Sequence, residues 1–259
     1  MKIGTILFIF FFFCLNLNAQ WEADVKLSTN EVNALTNENM GQCIGVNGNV
    51  IHVVWSDVIN GNGIYYKRST DGGTTWGPDT RISGSPSISD FPSIAVVGNN
   101  IHVDYRDSIP GSRNSNYIRS TDGGNTWGTP VSLGSYFWWP SISASDNGVF
   151  MSLNSQTTGN SEVWCRASTD NGITWNPVFQ ISNALGRSED PSIAAGGGYV
   201  HLAWNDNRTG IMQTFYRRST NLGATWGPEI QRTNTTVFAY CPVLSVSGAD
   251  VDLVWGDRR

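Results

Sequence analysis

Carboxylates, arginines and aromatic rings recur at matched places along this chain. Asp57, the Arg106–Asp107 pair, Asp206 with Arg208, and Asp257 with Arg258 each follow a run such as Ile101–Tyr105 or Val200–Trp204. A second group precedes or flanks a recurring proline: Asp90, Tyr136, Trp138, Trp139, Glu189, Asp190 and Tyr240. Paired carboxyl groups can move protons, and guanidinium forks can grip a carboxylate in two hydrogen bonds. Aromatic faces can stack on the apolar face of a polyhydroxylated ligand. The same Asp/Arg pattern, repeated, could instead close its own loop by a local ion pair. Trp138–Trp139 is not repeated, and serves equally as a stacking platform or as packing that compensates for a shorter link.

What positions these residues is a repeat. Ser69, Asp71, Gly73 and Trp76 sit in a Ser-Thr-Asp-Gly-Gly-Thr-Thr-Trp box. Ser120, Asp122, Gly124 and Trp127 form a second copy, and Ser168, Asp170, Gly172 and Trp175 a third. In the fourth, Ser219, Asn221, Gly223 and Trp226, an Asn stands where the others have Asp. An Asp side chain can accept hydrogen bonds from the backbone of its own turn, and Gly tolerates positive φ. The box therefore reads as a lock on a hairpin, with a structural role.

Pro92, Pro140 and Pro191 each open a Pro-Ser-Ile run in register with the boxes; Pro242-Val-Leu and Gln42-Cys-Ile are looser copies. Period-2 apolar alternation punctuated by Gly, Asn and Pro predicts strands throughout. Each repeat of about 50 residues holds four strands, A to D, the signature of a propeller blade. The A–B and C–D turns then share one face with the boxes. The D–A and B–C loops, which carry the residues named above, share the other. His52, His102 and His201 occupy one offset in different repeats, so they form no metal cluster or triad and read as inter-blade packing.

The boxes resemble the Asp-box (BNR) motif of the sialidase superfamily, over essentially all of residues 21–259. The resemblance implies an all-β, sialidase-like β-propeller with four complete four-stranded blades plus partial blades, from a six-bladed parent. It implies a secreted glycoside hydrolase-type protein acting on terminal acidic sugars. The alternative is a non-catalytic propeller that binds glycans or proteins at the cell surface. Sialidases use three arginines, an acid/base Asp and a Tyr nucleophile, and begin with a Phe/Tyr-Arg-Ile-Pro motif. That motif is absent, and Arg81-Ile82-Ser83 falls in a different strand, so no catalytic residue is carried over. Asp57, Arg106, Asp107, Trp138, Trp139, Glu189, Asp206, Arg208, Asp257 and Arg258 stand as candidates for a substrate-binding face.

Residues 1–19, with Lys2 and an apolar run over 3–15, read as a secretory signal, leaving 20–259 as one domain in an extracellular or periplasmic setting. Trp21–Leu27 resembles a lone strand D. Counting the Pro92-to-Ser120 span on from Pro242 puts the next box near residue 270, so the expectation is a propeller that continues past Arg259. With 21 acidic against 16 basic residues and no basic run, the chain is not built for nucleic acid. The expected partner is a glycan, sialylated in the sialidase-like case, or an extracellular protein. No membrane span, cofactor or metal motif is expected. Cys43, Cys165 and Cys241 fall at different offsets, which implies no repeated disulfide.

Overall fold

A computed structural model describes residues 26–28, 34–35, 41–57, 63–84, 88–109, 112–135 and 137–258. The leader, most of the Trp21–Leu27 segment and Tyr136 lie outside the described residues. Those described form strands and turns with no helix.

Five antiparallel sheets follow one another along the chain. Blade 1 has Ile44–Asn47 and Ala34–Leu35 sharing the inner edge of Val50–Asp57, then Gly63–Ser69 and Thr80–Arg81. Blade 2 runs Ile88–Val97, Asn100–Ile109, Ser112–Ser120 and Val131–Ser135. Blade 3 runs Phe137–Ser145, Gly148–Ser155, Glu162–Ser168 and Phe179–Gln180. Blade 4 runs Ser188–Gly196, Tyr199–Asp206, Gln213–Ser219 and Ile230–Gln231. Blade 5 is the hairpin Ala239–Ser247 with Asp250–Asp257. Each sheet packs on the next in chain order, and the first strands converge on a central axis. A channel of about 250 Å³ runs there, lined by Gln42, Ala95, Ile142, Ala194 and Leu244 among others. This is a β-propeller.

The core lies between blades. Ile101, Val103 and Tyr105 of blade 2 pack toward Val54 and Ile64 of blade 1, and Trp204 of blade 4 packs with Phe150 and Val163 of blade 3. Alternate residues of each second strand face opposite neighbours, which is why both faces of these strands are buried. Serines stitch the inner strands together. Ser93 Oγ accepts from the Ile142 amide (3.2 Å), Ser143 Oγ from Ala195 (3.0 Å) and Ser192 Oγ from Leu244 (3.0 Å).

Each box is the hairpin lock its chemistry suggests. Asp122 accepts the Thr126 amide at 2.9 Å and the Thr126 hydroxyl at 2.6 Å, while Ser120 Oγ accepts the Gly124 amide at 2.9 Å. These bonds hold the carboxyls of Asp71, Asp122 and Asp170 down at about 2, the threonine hydroxyl first. In the fourth box Asn221 makes the same geometry, its Oδ1 accepting the Thr225 amide (2.8 Å) and its Nδ2 donating to the Thr225 hydroxyl (2.8 Å). The Gly123 amide bonds Asn99 O of the A–B turn, so boxes and A–B turns share one rim. The D–A and B–C loops therefore share the opposite rim.

The three histidines hydrogen-bond within their own blades, and His102 also lines a cavity shared with Val149 and Asp170 of blade 3. His52, His102 and His201 meet Tyr66, Tyr117 and Tyr216 at 2.7, 2.7 and 2.6 Å. The tyrosine makes the inter-blade contact: the Tyr66 ring meets Trp127 edge-on at 4.9 Å, and Tyr117 meets Trp175 at 5.0 Å.

Candidate functional site

Every inner strand of blades 2 to 5 begins with the same irregularity. The residue before the proline is left-handed: Phe91 (φ 51°), Trp139 (53°), Asp190 (53°) and Cys241 (58°). The ladder slips at each of these places, between Asp90 and Ser93, Trp138 and Ser141, Glu189 and Ser192, and Tyr240 and Val243. A residue preceding proline is normally driven to extended backbone, and a bulky side chain at positive φ is an outlier. Such strain costs on the order of 1–3 kcal/mol per residue and concentrates at functional sites. A bulge also re-aims the side chain it carries. Because these strands line the axial channel, their bulges ring its mouth on the loop rim.

The mouth differs in chemistry from blade to blade. In blade 2, Asp90 and Arg106 are cross-strand partners, joined by Arg106 Nε (2.7 Å) and Nη2 (2.5 Å), and the guanidinium lies 4.3 Å over the Phe91 ring. In blade 3, Trp138 and Trp139 are half-buried, and Arg113 of blade 2 lies 5.3 Å over Trp138. In blade 4, two successive half-buried carboxyl groups occupy the bulge. Asn205 Nδ2 donates to Asp190 Oδ2 at 3.0 Å, and Arg187 reaches Glu189 at 3.5 Å. In blade 5, Tyr240 is exposed and Cys241 lies close enough to feel the charge of Asp190.

Burial sets the protonation of the blade 4 pair. Desolvation raises Glu189, opposed by Arg187 and reinforced by Asp190. Desolvation also raises Asp190, opposed by the Asn205 amide and by Arg187. The neighbouring thiol of Cys241 is raised by burial and then by Asp190. Asn205 is almost wholly buried, and its Oδ1 has no hydrogen-bond partner among the described residues. Two carboxyls that hold protons more tightly than usual, reachable from solvent, are equipped to give a proton to a leaving oxygen or to hydrogen-bond a hydroxyl.

The remaining sequence candidates lie at loop bases. Asp206 is fully buried and forked by Arg208 Nε (2.9 Å) and Nη2 (2.6 Å); it also accepts from Ser188 Oγ (2.9 Å). Burial alone would raise the Asp206 carboxyl, but the Arg208 hydrogen bonds hold it below its usual range. Arg208 also pairs with Glu229 and lies 4.4 Å over Phe215. Asp107 accepts from Ser89 Oγ at 2.5 Å, the blade 2 counterpart of the Ser188–Asp206 bond. Asp57 is buried, Asp257 half-buried and Arg258 exposed. The structure thus brings Trp138, Trp139, Glu189 and Arg106 to the mouth and ties Asp206 and Arg208 into the base of a loop. Neither Asn205 nor the run of left-handed residues is marked by residue type in the sequence. Their signal was the residue pair that each Pro-Ser-Ile run places opposite itself in the hairpin, as Glu189 opposes Asn205. Among the described residues Cys43, Cys165 and Cys241 form no disulfide, and no group of three His, Cys, Asp or Glu could hold a metal.

The comparisons fit this picture. A family model described as "BNR/Asp-box repeat" matches residues 166–177, the third box. No curated protein matches the chain in sequence. Among solved structures, a protein of unknown function from Dyadobacter fermentans superposes with a TM-score of 0.64 at 15% identity, over 87% of this chain and 78% of that one. The α-L-arabinanase of Penicillium chrysogenum, complexed with arabinobiose, gives 0.60 at 16%, over 85% and 74%. The Trypanosoma rangeli sialidase, in complex with the inhibitor DANA, gives 0.55 at 14%, over 76% and 38%. With four box hairpins on one rim and inner strands converging on an axis, the chain is a β-propeller that carries Asp-box hairpins.

Proposed function

We propose that this chain is a glycoside hydrolase-type propeller that receives a sugar at the axial mouth on the loop rim. The observation that carries the reading is the Glu189–Asp190 pair: two adjacent carboxyls, raised by burial, on a strained bulge beside Trp138–Trp139. Asp190, anchored by Asn205, is the proton donor, and Glu189 is the second carboxyl. The tryptophans offer faces for sugar C–H groups. The arabinobiose complex of the arabinanase neighbour supports a carbohydrate as partner. The apolar run over residues 3–15 supports export, which the N-terminal sequence of protein recovered from the culture medium would test.

A binding-only reading has one observation in its favour. Glu189 and Asp190 are consecutive, whereas glycosidases set two carboxyls on opposite sides of the scissile bond, roughly 5–10 Å apart. A panel of 4-nitrophenyl glycosides (arabinofuranoside, xyloside, galactoside, sialoside) separates the two. The enzyme reading expects release of nitrophenol from at least one, falling about 100-fold or more in Asp190→Asn. Asn tolerates the left-handed backbone at this position, so the variant keeps its fold. Turnover of none, with glycan binding retained, assigns the binding role.

A further inference from the structure

We infer that the mouth takes uncharged glycans and discriminates against sugars that carry a carboxylate. The inference rests on the reading that a glycan sits at this mouth. Gripping a sugar carboxylate requires guanidinium groups that are free to turn toward it. Arg106 is not free: both its Nε and Nη2 are spent on Asp90, at 2.7 and 2.5 Å, and its face is spent on Phe91. Arg208 is held more firmly, by a two-point bond to the fully buried Asp206 and a further pair with Glu229. Redirecting Arg208 would leave a desolvated carboxylate without its partner, a strongly unfavourable exchange, and redirecting Arg106 would break its two-point bond to the partly exposed Asp90. Arg187 and Arg113 are held more loosely: Arg187 is 61% exposed and 3.5 Å from Glu189, so a ligand that took it would strip Glu189 of its counter-charge, and Arg113 is exposed with its face over Trp138 at 5.3 Å, so a ligand that took it would give up that stacking.

The acidic groups point the same way. Asp90, Glu189 and Asp190 face the mouth with Arg106, Arg113 and Arg187, so the guanidinium charge there is already matched by carboxyl groups. A carboxylate ligand would add negative charge beside two carboxyls already desolvated. What the mouth does offer suits hydroxyls. The Asn205 amide has a buried Oδ1 with no donor among the described residues, and Asp190 can donate or accept according to its protonation. Trp139 and Tyr240 add faces that need no charge.

The test is binding of the purified full chain to two matched sets. One set holds neutral arabino-, xylo- and galacto-oligosaccharides. The other holds oligogalacturonides, glucuronoxylo-oligosaccharides and sialyllactose. The expected result is at least tenfold tighter binding within the neutral set, insensitive to added salt and weakened by Asn205→Ala. Tighter binding of an acidic sugar, lost in Arg113→Ala, Arg187→Ala or Arg106→Ala, overturns this inference but leaves a sugar at the mouth. Binding of neither set, or binding indifferent to Asn205→Ala and Trp139→Ala, overturns the mouth as the glycan site and this inference with it.

Discussion

The hydroxyl of Tyr66 occupies the space that a β-carbon on Gly124 would need, so the second box closes against the first blade only because Gly stands there. Tyr117 meets Gly172 in the same way one blade later. Between blades 3 and 4 the arrangement changes in concert: Phe150, Cys165 and Ala167 replace the His, Tyr and Arg of the other blades. A β-carbon on Gly223 would then lie at an ordinary 3.5 Å from Ala167.

This difference yields a controlled comparison. Gly124 and Gly223 have nearly the same φ, 84° and 81°, so Ala at either meets the same backbone penalty of about 1–2 kcal/mol. Gly124→Ala adds an overlap with Tyr66, for a further ~1–3 kcal/mol. Denaturant unfolding should rank Gly124→Ala well below Gly223→Ala. Equal losses would mean that the tyrosine does not fill this space.

Arg208 holds a fully buried carboxylate, so removing it should be costly. Arg208→Ala is expected to destabilise by about 3 kcal/mol, because Asp206 is left desolvated and unpaired. Arg208→Lys should recover little, since an ammonium cannot reproduce the two-point fork. A loss within about 0.5 kcal/mol of wild type, typical of a surface change, would contradict this account.

The histidine–tyrosine pairs make stability acid-sensitive. Burial, and then Arg68 or Arg119, lowers His52 and His102 to about 4 from 6.5. A folded-state value below the unfolded one gives stability that is present above pH 6.5 and lost as pH falls toward 4. The unfolding midpoint should therefore drop over that window. His102→Phe combined with Tyr117→Cys, the pairing blade 3 already uses, should flatten part of the drop. A double variant with an unchanged pH profile would remove His102 as its source.

Asp104 behaves in the opposite sense. It is fully buried on the second strand of blade 2, where the other blades have Val54, Ser152, Ala203 and Val254. Desolvation raises its carboxyl well above the usual range. The contribution of its protonated form is complete below the unfolded value near 3.8 and is lost as pH rises toward the folded value. Asp104→Asn should thus match wild type near pH 3 and exceed it at pH 7–8. For a chain of this size, about 1 kcal/mol would raise the melting midpoint by roughly 2–4 °C. A variant less stable than wild type at pH 8 would contradict the assignment.

The blades were legible because turn chemistry is local. Ser120, Asp122, Gly124 and Thr126 close their own hairpin, so their types and spacing announce it. The rim on which each loop lies followed from strand alternation. The tyrosine's reach into the next box was not legible, since Tyr66 and Gly124 meet only after two sheets have stacked. Nor was the left-handed residue before each proline, because local preference opposes it and only the surrounding ladder enforces it. The site was half visible. Glu189, Trp138 and Arg106 stood out by type, but register decides that Arg106 serves Asp90 and that Asp190 has Asn205.

A crystal of the full chain soaked with a neutral disaccharide, arabinobiose first, tests the axial mouth most directly. The expected result is a sugar ring between Trp139 and Asp190, with a hydroxyl within hydrogen-bonding distance of Asp190 or Asn205. A sugar bound only on the box rim, with the mouth holding nothing but solvent, would contradict it.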